Sequence, residues 1–314
     1  MQAISILACP KSFIGTAAAI QRTALATWQQ ISAPVEIILY GDSPGVAEVA
    51  AEHGVKHVPA VETAVSGVPL FSAIARHAAA EARYDWQIYL NADIILPPDL
   101  VSRLQPAANR SCMITGERMD LTQGTAWKVE ADWHGQLNRL WEQGAAQPHG
   151  PTGMDYFVFP RGLWSELKTL PLGRGGYDNA LLAYCLRRGV PIVDATAVLP
   201  VVHQWHDYSQ LAGGMTAVHQ GDEARGLQAL HDIQHSAPSV ADSDWIMSDR
   251  GLQQVACRGD RLRALEIALR YRRGWKYLSY AVRVAWRLRS RLAGNPAGIS
   301  WIKPRTGAFP ASRS

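Results

Sequence analysis

Up to about residue 120 the chain alternates short apolar runs with longer stretches of helical spacing, and this alternation restricts the fold more than any other feature. "AISILA" and "VEIILYGD" read as strands, and "TAAAIQRTALATWQQI" and "GVAEVAAEHG" as helices, the latter closed by Gly54. "VKHVPAV" follows as a short third strand, "PLFSAIARHAAAEA" as a helix and "WQIYLNADIIL" as the next strand. Strands separated by helices build a mainly parallel α/β sheet covered on both faces. Such sheets bind ligands at the carboxyl ends of their strands. A length of 314 residues, 47% of them hydrophobic, suits one large domain, or one domain plus an appendage, with a substantial core.

Beyond residue 120 the order is less regular. "DYFVFP" reads as a strand, "YDNALLAYCLRRG" as a helix ending at Gly189, and "VPIVDATAVLPVVH" as one or two strands. The Gly- and Pro-rich stretches "QGAAQPHGPTG" and "LPLGRGG" read as loops on the substrate side. Cys9, Cys112, Cys185 and Cys257 are widely separated and form no C-x-x-C pair, which argues against a zinc knuckle or a disulfide framework and favours a reducing compartment. The start "MQAISILACPKSF" lacks the basic residues and long apolar run of a signal peptide and reads as the first core strand. No segment has the length to span a bilayer. A cytoplasmic protein is expected.

The strand-like "QIYLNADIIL" is broken by Asn91 and Asp93. One explanation is a turn in which both side chains bond their own backbone. The other is a ligand site. A carboxylate just past the end of a buried strand lies at the mouth of the ligand crevice, where it can hold a hard divalent ion that pairs with a diphosphate.

The order strand, helix, "GD", helix, strand, helix, "YLNADIIL" resembles the nucleotide-diphospho-sugar transferases, the glycosyltransferases of the GT-A fold. The resemblance continues through "GMDYFVFPRGLW", "GRGGYDNALLAYCLRRGVPIVDAT" and "VVHQWHDYS", and covers roughly residues 3 to 210. It implies a GT-A type, mainly parallel, Rossmann-like sheet flanked by helices, and the basic residues beyond it read as a helical appendage at the C-terminus. The domain would occupy 1–215, with a nucleotide-binding half (1–120) and an acceptor half (121–215). A helical extension over 216–294 and a mobile tail over 295–314 would follow. In this family the strand-end motif is usually D-x-D, and its last Asp binds the metal that holds the donor diphosphate. That place falls to Asp93, with Asn91 departing from the pattern in bringing an amide and no charge. The implied cofactor is a divalent metal, Mn or Mg.

The same resemblance sets Asp42 against the nucleoside, though Asp42 equally suits a helix cap or turn. It places Pro10 and Lys11 under the base, where Lys11 equally suits a solvated surface. Asp178, in "GGYDNALL", is either an N-cap or the base that takes the proton from the acceptor hydroxyl. His203 and His206 read as a packed corner with Trp205 and Tyr208, or as metal ligands beside Asp93 or phosphate contacts, with Asp207 orienting a histidine from behind. Asp155 falls where the family contacts donor sugar or acceptor. Asp120 and Arg118 are further candidates. Arg118 and Arg161 suit either phosphate or a surface ion pair.

From Asp260 the composition turns basic. In residues 260–294, Leu265, Ala268, Tyr271, Trp275, Leu278, Val282 and Ala285 recur at helical spacing among arginines, and Gly274 divides the segment into two helices. Such helices either pack the apolar stripe on the core or lie on an anionic membrane surface. No motif supports a nucleic-acid partner.

The expected activity is therefore transfer of a sugar from a nucleotide-diphosphate donor to a carbohydrate or lipid-linked acceptor hydroxyl. It would belong to cell-surface polysaccharide or glycolipid synthesis, with the protein peripheral on the inner face of the membrane. The alternative is a non-catalytic sugar-nucleotide-binding module of the same fold. "ACPKSFIGTAA" lacks the Gly- and Arg-containing loop of sugar-phosphate nucleotidyltransferases and the G-x-G-x-x-G of dinucleotide-binding dehydrogenases, which sets both aside.

Overall fold

The computed structural model describes residues 1–206, 218–255 and 260–292. The alternation is present as β1 (Ile4–Ala8), α1 (Gly15–Trp28), β2 (Val35–Tyr40), α2 (Val46–His53), β3 (Lys56–Val58), α3 (Phe71–Glu81) and β4 (Trp86–Leu90). Its strands pair in parallel in the order β4-β1-β2-β3. Beyond β4 the sheet continues with β9 (Tyr156–Pro160), β6 (Met113–Thr115), β10 (Ile192–Asp194), β12 (Trp245–Ser248) and β13 (Gly251–Gln254), nine strands in all. It is mainly parallel. β9 runs against both its neighbours, and β13 is an antiparallel edge.

Period-two side-chain alternation gives this sheet a core on each face. Ile4, Ile6 and Ala8 of β1 and Ile37 and Leu39 of β2 join Leu25 and Trp28 of α1 and Val46 and Val49 of α2. Leu7, Ile38 and Tyr40 point the other way, onto Phe71 and Ile74 of α3 and, further along, Leu181 and Leu182 of α6 (Tyr177–Arg188). Burial on both faces explains why the strands are nearly continuous apolar runs.

A second, four-stranded sheet has the order β5 (Ile94–Ile95), β11 (Val201–His203), β7 (Arg118–Leu121), β8 (Ala146–Pro148). "WQIYLNADIIL", expected as one strand, is therefore two strands in different sheets, and Asn91-Ala92-Asp93 is the elbow between them. The Ile94 amide donates to the Asn91 carbonyl (3.1 Å), which closes the turn. The Trp28 indole then donates to the Ile94 carbonyl (2.8 Å) and pins the outgoing strand to α1.

The stretch 216–294, expected to be helical, holds α7 (Asp222–Leu230) and then β12 and β13. "WIMSDRGLQQ" forms a hairpin because Gly251 supplies a positive φ (97°) at its turn, and β12 extends the main sheet in parallel with β10. Helix resumes only after Asp260, as α8 (Arg261–Ile267), a π-helical turn (Ala268–Arg272) and α9 (Lys276–Leu292), with the expected break at Gly274 (φ 68°). The boundary near 215, Asp207, Tyr208, Cys257 and the tail 295–314 fall outside the described residues.

Candidate active site

Strand register assembles the site. β11 pairs antiparallel with β5, setting His203 opposite Ile94, so Asp93 just before β5 comes to the end of β11. β11 also pairs in parallel with β7, setting His203 beside Asp120. Across the main sheet, Leu90 at the end of β4 faces Tyr156 at the start of β9, which brings Asn91 to Asp155.

The Asp93 carboxylate meets His206 Nε2 at 3.1 Å and His203 Nε2 at 3.6 Å through the same oxygen, Oδ2. Its other oxygen, Oδ1, is buried with no hydrogen-bond partner among the described residues. The Asp93 carbonyl accepts from the Gln204 side chain (3.1 Å), which also donates to the Ile20 carbonyl of α1 (2.9 Å) and so holds the elbow in place. One atom each from Asp93, His203 and His206 lie within 4.8 Å of one another. A carboxylate and two imidazoles form a donor set for a divalent cation. An orphaned carboxylate oxygen, otherwise a cost inside a protein, fits that use.

His203 is oriented from behind. Its Nδ1 lies 3.4 Å from Asp120 Oδ1, which leaves Nε2 directed at Asp93. Asp120 also meets His149 Nδ1 (2.6 Å) and accepts from Arg118 Nε (2.7 Å). Arg118 continues to the Asp155 carboxylate, whose Oδ1 accepts from Asn91 Nδ2 (2.6 Å), and the Tyr177 hydroxyl donates to Asn91 Oδ1 (3.1 Å). A single polar chain thus runs from Asp93 to the first residue of α6.

Asp178 is the next residue of α6. The helix N-cap is Gly176, not Asp178, whose Oδ1 accepts from its neighbour's amide, Asn179 N (2.9 Å). Two glycines fix this entry. A Cβ on Gly175 would lie 2.8 Å from the His219 Cα, and Gly176 has φ 97° with Ile233 Cδ1 2.9 Å from where a Cβ would be.

The charges are uneven. Burial opposes the charge on Asp93, but His203 and His206 hold its carboxyl well below the usual range. Burial likewise opposes charge on His203, yet Asp93 and Asp120 together push it up to about 9. Asp120 is held low against burial by His149, His203 and Arg118. Asp178 goes the other way. Burial pushes it up to about 7, the Asn179 amide opposes, and the negative charge of Asp155 adds to the rise.

Of the residues singled out in the sequence, Asn91, Asp93, Asp155, His203, His206, Arg118 and Asp120 form one contact network, and Asp178 borders it. Buried Pro10, exposed Lys11 and exposed Asp42 sit at the neighbouring ends of β1 and β2. There Gln21 clamps the Lys11 backbone through its amide (2.7 Å) and carbonyl (3.0 Å), and the Phe13 amide bonds the Pro44 carbonyl (2.8 Å). Arg161 lies elsewhere, on Asp85 (3.1 Å) and the carbonyls of Ala79 and Ala82, and is a structural tie. His149, Tyr177 and Gln204 belong to the site although the sequence reading, which marked the segments around them, did not single them out.

The molecule is thus a two-sheet α/β protein with a cluster suited to a cation at the carboxyl rim of its main sheet. No protein-family profile and no curated protein matches the sequence. Among solved structures it is similar to glucosyl-3-phosphoglycerate synthase from Mycobacterium tuberculosis, in complex with Mn²⁺, uridine diphosphate and phosphoglyceric acid, at 16% identity over 75% of this chain and 80% of that one (TM-score 0.44). It is also similar to a mannosyltransferase from Pyrobaculum calidifontis, in complex with GDP-mannose and Mn²⁺, at 15% identity over 96% of this chain and 81% of that one (TM-score 0.45).

Proposed function

We propose that this chain is a nucleotide-sugar-dependent glycosyltransferase of the GT-A type. The observation that carries the reading is the orphaned Oδ1 of Asp93, set with His203 and His206 at the carboxyl rim and bordered by a carboxyl with an elevated proton affinity. Asp93, His203 and His206 are the residues that would hold a divalent metal, and Asp120 keeps His203 in its ligating orientation. Mn²⁺ or Mg²⁺ bound there supplies positive charge against a donor diphosphate. Pro10, Lys11 and Asp42 receive the nucleoside at the ends of β1 and β2, and Asn91 and Asp155 face the donor sugar.

Asp178 is the base. With its carboxyl pushed up to about 7 it is about half ionised at neutral pH and basic enough to take a proton. The acceptor oxygen forms its bond to the anomeric carbon, its proton passes to the Asp178 carboxylate, and the bond to the diphosphate oxygen breaks with its electron pair leaving on the diphosphate. One displacement of this kind inverts the anomeric configuration. The acceptor is a carbohydrate or lipid-linked hydroxyl, and the reaction serves cell-surface polysaccharide or glycolipid synthesis on the cytoplasmic face of a membrane. The basic C-terminal segment supports that setting.

A thermal-shift screen of nucleotide sugars with and without Mn²⁺, on the natural chain and on Asp93→Ala, tests this. One donor class is expected to stabilise the natural chain in Mn²⁺ and to lose that effect in the variant. Indifference of both proteins to every donor would refute it. Hydrolysis of the effective donor then separates an enzyme from a module that only binds.

A further inference from the structure

The C-terminal helix α9 is turned inside out relative to a core helix. Its inward stripe is Ser279, Arg283, Trp286 and Ser290, with Val282 half-buried beside it. On the opposite side, spaced by threes and fours, stand Tyr277 (96% exposed), Ala281, Val284, Leu288 (55%) and Leu292 (89%), flanked by exposed Tyr280, Leu278 and Ala285. Among the described residues, seven of the thirteen exposed large hydrophobic side chains lie between Trp275 and Leu292. Of the apolar stripe read in the sequence, which suits either the core or a membrane surface, Tyr271 is buried and Ala268 and Val282 are half-buried. Leu265, Trp275, Leu278 and Ala285 are all exposed.

The reason lies in what α9 packs against. Arg263 of α8 is a half-buried hub, 2.9 Å from Asp242 and also paired with Glu266, both carboxylates being almost wholly buried. Its guanidinium lies 5.4 Å from the Trp286 ring. The Trp286 indole donates to Asp260 (3.0 Å), and Arg283 donates to the His235 carbonyl. Polar side chains are what this interface accepts, so the apolar face is left outward.

The charge is as lopsided as the hydrophobicity. After Glu266 the sequence holds eleven Lys and Arg and no acidic residue, whereas residues 1–266 hold 20 Lys and Arg against 27 Asp and Glu, a net −7. On α9 the exposed Arg287, and Lys276 paired with Asp232 (3.0 Å), lie to one side of the apolar stripe, and exposed Arg289, paired with Asp260, lies to the other. An apolar strip bordered by cations matches the acyl boundary and anionic headgroups of a bilayer surface. Nucleic acid has no counterpart for the strip, and two copies face to face would bring like charges together. No described helix is long and apolar enough to cross a membrane, so this one would lie flat.

We infer that the outward face of α9 docks the protein on an anionic membrane surface and holds the active site against it. The second part follows from where α9 ends. It runs back along α8 so that Trp286 and Arg289 reach Asp260. Arg263 then donates to the Ala237 carbonyl (3.0 Å), and the next residue's carbonyl, on Pro238, accepts from Asn179 (2.8 Å), the neighbour of Asp178. The end of α9 therefore lies a few contacts from the base. An acceptor hydroxyl carried on a lipid is the substrate class this placement serves, and that clause rests on the glycosyl-transfer reading. The docking does not.

The test is flotation of the full chain, without donor, on vesicles of phosphatidylcholine alone or mixed with phosphatidylglycerol. The chain is expected to float with the anionic vesicles only and to be released by high salt. Leu288→Glu with Leu292→Glu should abolish flotation. Arg273→Ala with Arg287→Ala should weaken it about thirtyfold, on the order of fivefold for each cation near the surface. All four positions are exposed, so circular dichroism and the donor-induced thermal shift should not change. Flotation unmoved by both variants, no flotation at all, or a dimer dispersed by Leu288→Glu in place of vesicle binding would each overturn the inference. Because no turnover is read, these outcomes are separate from a failure of the glycosyl-transfer reading.

Discussion

Replacing Asp178 with Asn should cost activity while raising stability, and the gain should grow with pH. A carboxyl moved from its ordinary 3.8 to about 7 has an ionised form disfavoured in the folded chain by about 4 kcal/mol. The folded state keeps its proton to a higher pH than the unfolded state, so stability falls as pH rises from about 4 through about 7 and is flat above. Asn is a neutral isostere and escapes that loss. Urea unfolding of both proteins should therefore show the Asn variant's advantage growing by about 2–3 kcal/mol between about pH 5 and about pH 8. Donor turnover should fall by about 100- to 10,000-fold, the range for a lost general base. In the natural chain kcat/KM should climb to a plateau above about pH 7 as Asp178 ionises. A stability difference that does not change with pH, or turnover that survives the substitution, would refute the reasoning.

Two other substitutions probe the network. Asp120→Asn keeps the shape behind His203 and removes the charge that orients it, so Mn²⁺ affinity measured by calorimetry should drop by about 10- to 100-fold with the fold intact. Asn91→Asp creates the acidic pair of the glycosyltransferases the sequence resembles, yet it should weaken the protein. It replaces the donor to Asp155 (2.6 Å) with a second carboxylate, and thermal unfolding should report a loss of about 1–3 kcal/mol. A rise in both stability and Mn²⁺ affinity would show that Asn91 is not there as a donor.

That last case explains a feature that was ambiguous in the sequence. Asn91 looked like a defect in a metal motif, and its amide in fact ties β4 to β9 and receives the Tyr177 hydroxyl. The two-faced sheet was legible because β1, β2 and β4 are apolar on both sides and are separated by amphipathic helices. The conjunction of Asp93 with His203 and His206 was legible because a carboxylate and two imidazoles follow strands at the expected rim. The antiparallel insertion of β9 was not, since "YFVFP" reads the same in either direction and only its partners orient it. Nor was the passage of the chain between two sheets at Asp93, which a continuous apolar run conceals. His149, Tyr177 and Gln204 act through residues distant in sequence. On α9, periodicity revealed amphipathicity but not which face is buried, because the deciding partners, Asp242 and Arg263, form a polar interface.

The most direct measurement is calorimetric titration of Mn²⁺, with and without a nucleoside diphosphate, into the natural chain, Asp93→Ala and His203→Gln. The account predicts one saturable site in the natural chain, tightened by the diphosphate and lost in both variants. Absence of saturable binding, or binding that both variants retain, would contradict it.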